Sequence, residues 1–408
     1  MVVAKEITLV RHGETTANAA GVWQGSTNSL LSDRGQQQAA EAGARLRQEA
    51  FDVVVASDLG RTQQTATAIG FEYELDPRWR ELQLGAWEGM TRAEIIATYP
   101  AEAAAFWTGQ DMSIDGSETI GELTDRVTEA IESLEARLPE GGRALVVTHG
   151  GPIFGIVADT LGISSPPPIS GVANTSFTRL VLNNTHREVA VYNDFGHLTE
   201  RVGDPDDATQ IVLIRHGQTR ANLEHRWQGQ SDWGLTDHGV LQADLLAAEL
   251  EGIDVVYSSP LSRARVTAGK VAERRGLEVK EDESLQEISF GRWESKTVEE
   301  ILEIDPEGFA RLRSGEDFRR GTTGETFTEV ADRIEQAVAR IVAAHPGKRV
   351  AIVSHGGATR AFATRVLGMG FAQRHRLPIL GNTALGRIDY SDRGRVVAKW
   401  NVAPHLAG

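Results

Sequence analysis

Short apolar runs alternate along this chain with longer stretches of helical periodicity. The first run, Ile7 to Val10, ends in Arg11 and His12, and a second apolar run spans Phe51 to Ala56. Continuous apolar runs of this length, bounded by polar or turn residues, predict buried strands. Ser32 lies where it can cap a helix whose apolar positions follow a period of 3.6 residues.

The same alternation continues through the first half of the chain. The predicted strands after the second run lie near residues 73–75, 143–148, 175–182 and 188–192. The predicted helices lie near residues 33–46, 60–69, 91–108 (two helices), 118–138 and 150–161. Strands that alternate with helices predict an α/β fold, a mostly parallel sheet with helices on both faces in three α/β/α layers.

The whole pattern occurs twice. His216, in Arg215-His216-Gly217, repeats His12 at half the length of the 408-residue chain, and later motifs recur in the same order. Two copies of this size indicate a tandem duplication of whole domains rather than a solenoid. We therefore predict a first domain over residues 1–200, a linker over 201–209 and a second domain over 210–408.

Composition narrows the partners and the compartment. The chain has no cysteine, which excludes disulfides and thiolate chemistry, and its net charge of −15 disfavours binding to nucleic acid or to an anionic membrane. It has neither an apolar run of about 18 residues nor the start of a signal peptide. We expect a cytoplasmic protein without a membrane or nucleic-acid partner, and its oligomeric state stays open.

Polar side chains gather at the predicted strand ends of each half. Every half contributes two histidines, two arginines and one glutamate there, beyond the carboxyl ends where open α/β sheets bind ligands. Guanidinium forks suit phosphate oxygens, and a helix that begins at Gly150 and Gly151 favours an anion. A histidine beside arginines stays neutral and nucleophilic, and a carboxyl group can supply a proton. This set favours phosphoryl transfer through a phosphohistidine.

Each of these residues also has a purely structural interpretation. A histidine at a strand end is commonly a satisfied polar residue, and a lone arginine or glutamate is commonly solvated. A metal site at His12 and His149 is a further alternative, but the neighbouring arginines would repel a cation and no aspartate cluster accompanies them. We therefore expect neither a metal nor another cofactor.

Taken together, the motifs resemble those of the histidine phosphatase superfamily, which has the phosphoglycerate-mutase-like fold. They are Arg11-His12-Gly13, Arg61, Glu81 and His149-Gly150-Gly151 in the first half, and Arg215-His216-Gly217, Arg263, Glu287 and His355-Gly356-Gly357 in the second. The resemblance implies that His12 and His216 are the phosphorylated nucleophiles. It also implies that Glu81 and Glu287 donate a proton to the leaving alcohol.

The resemblance further implies a phosphate-binding set in each half. The residues implied to grip the phosphoryl group are Arg11, Arg61 and His149, and Arg215, Arg263 and His355. Those implied to assist are Asn18 and Asn222, with Gln24 and Gln228 nearby in the repeated Trp-Gln-Gly motif. No metal and no cofactor is implied, and the expected partner is a small phosphorylated metabolite.

The stretch from Glu81 to Gly89 resembles the phosphatase branch rather than the mutases, and each half is compact. The sequence thus predicts metal-independent hydrolysis of small phosphomonoesters, with an active site in each domain. Two alternatives stay open. One is mutase-type phosphoryl transfer, and the other is a single catalytic domain whose partner domain binds or regulates.

The two halves differ around the predicted sites. Phe154 stands where the second half has Arg360, and Gly89 stands where it has Ser295. The candidate lid residues are Trp107, Asp111 and Asp115 in the first half and Arg311, Arg313, Arg319 and Arg320 in the second. One hypothesis is that the second site prefers more anionic substrates. The alternative is that these arginines form a solvated face.

Overall fold

The computed structural model describes residues 4–183, 186–199 and 208–406. The chain divides into two compact units, one comprising Met1–Pro167 and Gly171–Val202, the other Pro168–Ser170 and Gly203–Gly408. Most of the predicted linker, residues 201–207, lies outside the described residues. Its last residue, Thr209, begins a strand of the second unit.

A mixed sheet forms the centre of the first unit. Its strands are β1 (Lys5–Arg11), β2 (Val53–Ala56), β3 (Glu74–Leu75), β4 (Arg143–Thr148), β5 (Phe177–Asn183) and β6 (His186–Asp194). Their order is β3-β2-β4-β1-β5-β6, in which the first four run parallel and β5 and β6 run antiparallel. The predicted mostly parallel α/β sheet is confirmed, and the closing strand pair is its antiparallel part.

Helices cover both faces of this sheet. They are α1 (Thr16–Ala19), α2 (Asp33–Leu46), α3 (Gly60–Ile69), α4 (Arg92–Thr98), α5 (Pro100–Trp107), α6 (Ile120–Arg137) and α7 (Gly150–Leu161), with short 3-10 helices at Pro77–Trp79 and Gly85–Trp87. Ser32 caps α2 by accepting a hydrogen bond from the Gly35 amide. Leu46 of α2 and Ile69 of α3 pack on Val10 and Val147 in one apolar core.

The second unit repeats this architecture. Its strands are β7 (Thr209–Arg215), β8 (Val255–Ser258), β9 (Val279–Glu281), β10 (Arg349–Ser354), β11 (Leu385–Ser391) and β12 (Gly394–Val402), in the order β9-β8-β10-β7-β11-β12. Its helices are α8 (Arg220–Leu223), α9 (Asp237–Glu249), α10 (Ser262–Arg275), α11 (Val298–Ile304), α12 (Pro306–Arg313), α13 (Phe327–Ala344) and α14 (Gly356–Val366). Its 3-10 helices are Glu283–Leu285, Gly291–Trp293, Phe371–Arg376 and Pro404–Leu406.

The register of β1 and β4 brings two polar strand ends together. Arg11 pairs with Thr148, so the next residues on the two strands, His12 and His149, follow at the same edge of the sheet. The His12 amide donates to the Thr148 carbonyl at 2.9 Å. In the second unit, β7 and β10 end in the same register, with Arg215 opposite Ser354.

A strained turn before β5 closes over this edge. Thr175 has a φ of 56°, a left-handed conformation that is unfavourable for a β-branched residue, and its amide donates to the Arg11 carbonyl at 3.0 Å. Thr383 repeats the turn with a φ of 57°. Strain of this kind persists where surrounding contacts enforce it, which is common beside functional sites.

Within the three described stretches of the chain, the helices are all too short or too polar to cross a membrane.

Candidate active site

His12 is buried at the centre of the candidate site of the first unit. Its Nδ1 donates to the Gly13 carbonyl at 2.8 Å, because a carbonyl oxygen can only accept. Burial, and then the charges of Arg11 and Arg61, lower the pKa of His12 well below its usual value. A neutral imidazole with a proton on Nδ1 has a lone pair on Nε2, as a nucleophile requires.

His216 has the same arrangement in the second unit. Its Nδ1 donates to the Gly217 carbonyl at 2.7 Å. Burial, followed by the charges of Arg263 and Arg215, lowers the pKa of His216 well below its usual value. The predicted nucleophiles of the two units therefore share one tautomer and one charge state at neutral pH.

The second histidine of each predicted set lies close to the first. The rings of His12 and His149 are 5.1 Å apart, and His149 is fully buried. Arg61 Nε donates to His149 Nδ1 at 3.1 Å, so His149 Nε2 carries the proton and donates to Ser57 Oγ at 2.9 Å. Burial, and then Arg61, lower the pKa of His149 well below its usual value.

His355 repeats these contacts in the second unit. Arg263 Nε donates to His355 Nδ1 at 3.2 Å, and His355 Nε2 donates to Ser259 Oγ at 2.8 Å. Its ring lies 5.2 Å from that of His216. In both units the second histidine thus fixes the orientation of a buried arginine.

All three guanidinium nitrogens of Arg61 donate hydrogen bonds within the first unit. Besides the bond to His149, its Nη1 donates to the Thr27 carbonyl and its Nη2 to the Gly25 carbonyl, each at 2.8 Å. Burial lowers its pKa. Burial also lowers the pKa of its counterpart Arg263 to about 10, which leaves the group charged at neutral pH.

Arg11 carries a buried donor that has no acceptor among the described residues. Its Nη1 donates to the Val172 carbonyl at 2.6 Å, while its Nε is buried without a hydrogen-bond partner among the described residues. The Nε of Arg215 is orphaned in the same way, and its Nη1 donates to the Leu380 carbonyl at 2.9 Å. Buried donors are nearly always satisfied, so these two nitrogens indicate where an anionic oxygen can bind.

The two candidate acids, Glu81 and Glu287, lie in loops, and their carboxyl groups accept hydrogen bonds from the start of a helix. Glu81 Oε1 accepts from the amides of Leu82 and Gly151, each at 2.9 Å. Glu287 accepts from the amides of Gly357 and Ala358 at 3.1 and 2.8 Å. Each carboxyl group is therefore fixed at the first turn of the helix that follows the second histidine.

Comparison with known proteins accounts for this duplicated site. The family model of the histidine phosphatase superfamily, branch 1, matches residues 7–195 and again residues 211–403. The chain belongs to this superfamily. The predicted resemblance is thereby confirmed for both halves.

Individual relatives match one half of the chain at a time. Phosphoserine phosphatase 1 of Hydrogenobacter thermophilus is 33% identical over 199 residues, which are 48% of this chain and 94% of the relative. A probable phosphoglycerate mutase of Klebsiella pneumoniae is 35% identical over 196 residues, 47% of this chain and 90% of the relative. The structure of phosphoserine phosphatase from Entamoeba histolytica with 3-phosphoglyceric acid covers 48% of this chain and 99% of its own, at 32% identity and a TM-score of 0.45.

Each superfamily unit has a cavity at this site. The first cavity has a volume of about 440 Å³, and the predicted residues on its wall are Arg11, His12, Asn18, Gln24, Arg61 and Glu81. The second has a volume of about 480 Å³, and those on its wall are Arg215, His216, Gln228, Arg263 and Glu287. Asn222 joins the second site through a neighbouring amide side chain.

That neighbouring side chain was absent from the sequence prediction. Asn382 Nδ2 donates to the His216 carbonyl at 3.0 Å and to Asn222 Oδ1 at 3.2 Å. Asn174 does the same in the first unit, donating to the His12 carbonyl at 2.9 Å. The signal was present in the sequence, because an Asn-Thr pair recurs at 174–175 and 382–383 just before the closing strands.

Glu88 also has a role that its motif did not reveal. Its carboxylate accepts from the Ser26 amide at 2.8 Å and from Thr27 Oγ1 at 2.7 Å. Glu294 holds the equivalent loop through Ser231 Oγ at 2.9 Å. In each unit this loop carries the carbonyls that accept hydrogen bonds from the buried arginine. Each glutamate therefore positions the arginine indirectly, through the loop.

The candidate lid residues divide into two groups. Arg311 pairs with Glu316 and Arg319 pairs with Glu329, and both arginines are exposed. Arg320 is buried and lines the second cavity. Arg311 and Arg319 therefore belong to a solvated face, whereas Arg320 lines the site.

The aspartate of the first lid does not distinguish the halves. Asp111 accepts from the Ile120 amide at 2.8 Å at the start of α6. Asp317 accepts from the Phe327 amide at 2.8 Å at the start of α13. The two aspartates therefore perform the same structural task in the two units.

No cluster of three or more His, Cys, Asp or Glu side chains suited to a metal ion occurs in residues 4–183, 186–199 and 208–406. Metal independence stays a prediction.

Proposed function

We propose that residues 1–200 and 210–408 are two phosphatase domains, each of which hydrolyses small phosphomonoesters through a phosphohistidine. The observation that carries the proposal is the neutral, buried imidazole of His12 and of His216. In each, Nδ1 keeps its proton and donates it in a hydrogen bond to a backbone carbonyl, so the lone pair is on Nε2. The substrates are small phosphorylated metabolites, and no metal takes part.

The first step forms a bond between His12 Nε2 and phosphorus and breaks the bond between phosphorus and the leaving oxygen. That oxygen takes the proton of the Glu81 carboxyl group and leaves as an alcohol. Arg11 and Arg61 stabilise the charge on the transferred group. His149 positions Arg61 in this scheme, and the bound phosphate oxygens satisfy the orphaned Arg11 Nε.

In the second step, water attacks the phosphohistidine. The Glu81 carboxylate takes a proton from that water, the bond between phosphorus and Nε2 breaks, and inorganic phosphate leaves. His216, Glu287, Arg215 and Arg263 perform the same steps in the second domain, with His355 holding Arg263. Hydrolysis requires water to reach the intermediate, whereas a mutase passes the same phosphoryl group to a second hydroxyl.

The test uses the full chain and the variants His12→Ala, His216→Ala and the double variant, assayed with p-nitrophenyl phosphate in the presence of EDTA. Each single variant is expected to keep the activity of the other domain, and the double variant is expected to lose activity by more than about a thousandfold. The exposed His238 supplies the matched control His238→Ala.

Three results would contradict the proposal. Full activity in the double variant excludes the phosphohistidine. Loss of all activity in one single variant leaves one catalytic domain. Transfer of labelled phosphate to a second hydroxyl of the substrate, instead of its release, favours the mutase alternative. Protein from the single variants that is quenched in alkali, in which a phosphohistidine is stable, should carry label on the remaining nucleophilic histidine.

A further inference from the structure

The two cavities differ in charge although their catalytic residues match. The wall of the first cavity includes two arginines, Arg11 and Arg61, with Glu81 as the carboxylate among the described residues. The wall of the second includes six arginines with one glutamate. Besides the predicted phosphate-binding pair, Arg215 and Arg263, the additional arginines are Arg226, Arg320, Arg360 and Arg374.

We propose that the second site selects phosphomonoesters whose leaving group carries a second anionic group, a carboxylate or a phosphate, and that Arg360 and Arg374 bind that group. The first site has no such preference. This inference rests on the proposed phosphatase activity and assigns a substrate class to one of its two sites.

Carboxylate groups lie close to Arg226 and Arg320. Arg226 pairs with Glu224 at 2.9 Å and with Glu300 at 2.8 Å. Arg320 lies 3.3 Å from Asp317 and donates to backbone carbonyls. These contacts supply local negative charge, so Arg226 and Arg320 are the less suitable partners for a ligand anion.

Arg374 has partners of another kind. Its Nη1 donates to the Phe371 carbonyl at 2.9 Å and its Nη2 to the Leu312 carbonyl at 3.1 Å. Its Cζ lies 3.6 Å from the centre of the Phe371 ring. Neutral carbonyls and a ring fix the direction of this guanidinium group without cancelling its charge.

The charge on Arg374 is also poorly solvated. Burial, and then the neighbouring charges of Arg360 and Arg320, lower its pKa to about 10, and Asp317 acts in the opposite direction. The group stays charged at neutral pH. An anion that enters the cavity relieves the repulsion between these guanidinium groups, and partial burial strengthens its attraction.

Arg360 approaches the same space from another element. It lies on α14, in the turn that follows Gly356 and Gly357, and it lines the cavity together with His216 and Glu287. A leaving group bound between His216 and Arg360 therefore extends from the reacting phosphorus toward the arginines. A volume of about 480 Å³ suits a small metabolite of this kind.

The first unit offers an internal comparison at the same positions. Phe154 lies on α7 at the place that Arg360 occupies on α14, and Phe106 and Ile120 complete this part of the wall. An apolar wall removes water from a leaving-group anion without providing a hydrogen bond in return. The first site therefore favours leaving groups that are uncharged.

The experiment measures each site of the full-length protein separately. His12→Ala reports on the second site and His216→Ala on the first. The substrates are glycerol 1-phosphate, whose leaving group is neutral, 3-phosphoglycerate, which adds a carboxylate, and glycerol 1,3-bisphosphate, which adds a phosphate. In His12→Ala, kcat/KM for at least one charged substrate should exceed that for glycerol 1-phosphate by about tenfold or more. In His216→Ala, kcat/KM for each charged substrate should be equal to or lower than kcat/KM for glycerol 1-phosphate.

Substitutions then assign the effect to named side chains. Arg360→Phe and Arg374→Gln, each in the His12→Ala protein, should lower the preference for the charged substrate about tenfold, mainly by raising KM. Arg360→Lys should restore part of it. The control is Arg311→Gln, because Arg311 is exposed and pairs with Glu316. Whichever charged substrate responds identifies the second anion as carboxylate or phosphate.

The outcomes separate the two proposals. If hydrolysis of glycerol 1-phosphate survives in the His12→Ala/His216→Ala protein, the phosphohistidine mechanism itself is wrong. If hydrolysis is lost there but His12→Ala shows equal kcat/KM for neutral and charged substrates, only the selectivity is overturned. The same holds if Arg360→Phe and Arg374→Gln lower kcat/KM for all three substrates equally.

Discussion

Mild acid should destabilise both units of this protein through their buried histidines. The first unit contains His12 and His149, whose pKa values are well below the usual one, and His197, whose pKa burial lowers to about 4. The residues in the same positions of the second unit are His216, His355 and His405, the last also with a pKa near 4 because of burial. The perturbation is a change from pH 7.5 to pH 5.5.

The sign follows from proton binding. As the pH falls below about 6.5, these histidines take up protons in the unfolded chain, while in the folded chain they stay neutral. Protonation therefore stabilises the unfolded state, so stability is fully present above pH 6.5 and decreases below it. One fully buried histidine loses about 1.4 kcal/mol by pH 5.5. The two fully buried histidines and the partly buried third together lower the free energy of unfolding of each unit by about 3 to 4 kcal/mol.

Urea unfolding followed by fluorescence at half-unit steps between pH 7.5 and 5.5 measures this slope for each transition. His197→Gln removes one titrating group and should make the slope of the first unit shallower by about a quarter to a third. His238→Gln, at an exposed position, is the matched control. Free energies of unfolding that stay constant down to pH 5.5 would refute the assignment of neutral histidines, and with it the nucleophile argument.

Three further substitutions test the packing around the site. Gly13→Ala should destabilise the first unit by about 2 kcal/mol in urea unfolding, because a Cβ there would lie 2.4 Å from the Gly35 carbonyl oxygen; an unchanged midpoint contradicts this contact. Gly269→Ala, inside α10 and open to solvent, should stabilise the second unit by about 0.5 to 1 kcal/mol, and a loss of stability would show the site to be crowded. Asn174→Ala in the His216→Ala protein should lower kcat for p-nitrophenyl phosphate about tenfold, because Asn174 donates a hydrogen bond to the His12 carbonyl. An unchanged kcat would show that Asn174 does not position His12.

The elements that position the nucleophile were predictable because their signals are local. An apolar run that stops at Arg11 identifies a strand end, and Ser32 marks a helix start within a few residues. The α/β alternation then places strand ends on one edge of a parallel sheet. The duplication then indicated which polar residues belong to the site, because the same residue types recur at the corresponding strand ends of the second half.

The walls of the two cavities were not predictable in the same way. The four lid arginines look alike in sequence, yet Arg311 and Arg319 are exposed and pair with glutamates, whereas Arg320 is buried, pairs with Asp317 and lines the cavity. Arg374 enters the site from a 3-10 helix, after α14, whose position depends on tertiary packing. Which of several arginines lies at the surface and which lines the cavity is a property of the folded chain.

The central position of β1 also has a consequence for synthesis. This strand is made before its partners β4 and β5, which begin only at Arg143 and Phe177, so its backbone N–H and C=O groups stay unpaired while most of the unit is translated. The second unit starts the same way with β7 at Thr209, a strand very similar in sequence to β1. Since β5 ends at Asn183, the ribosome completes both partners of β1 before β7 is translated. The order of translation thus makes the partners of β1 available to it before β7 exists.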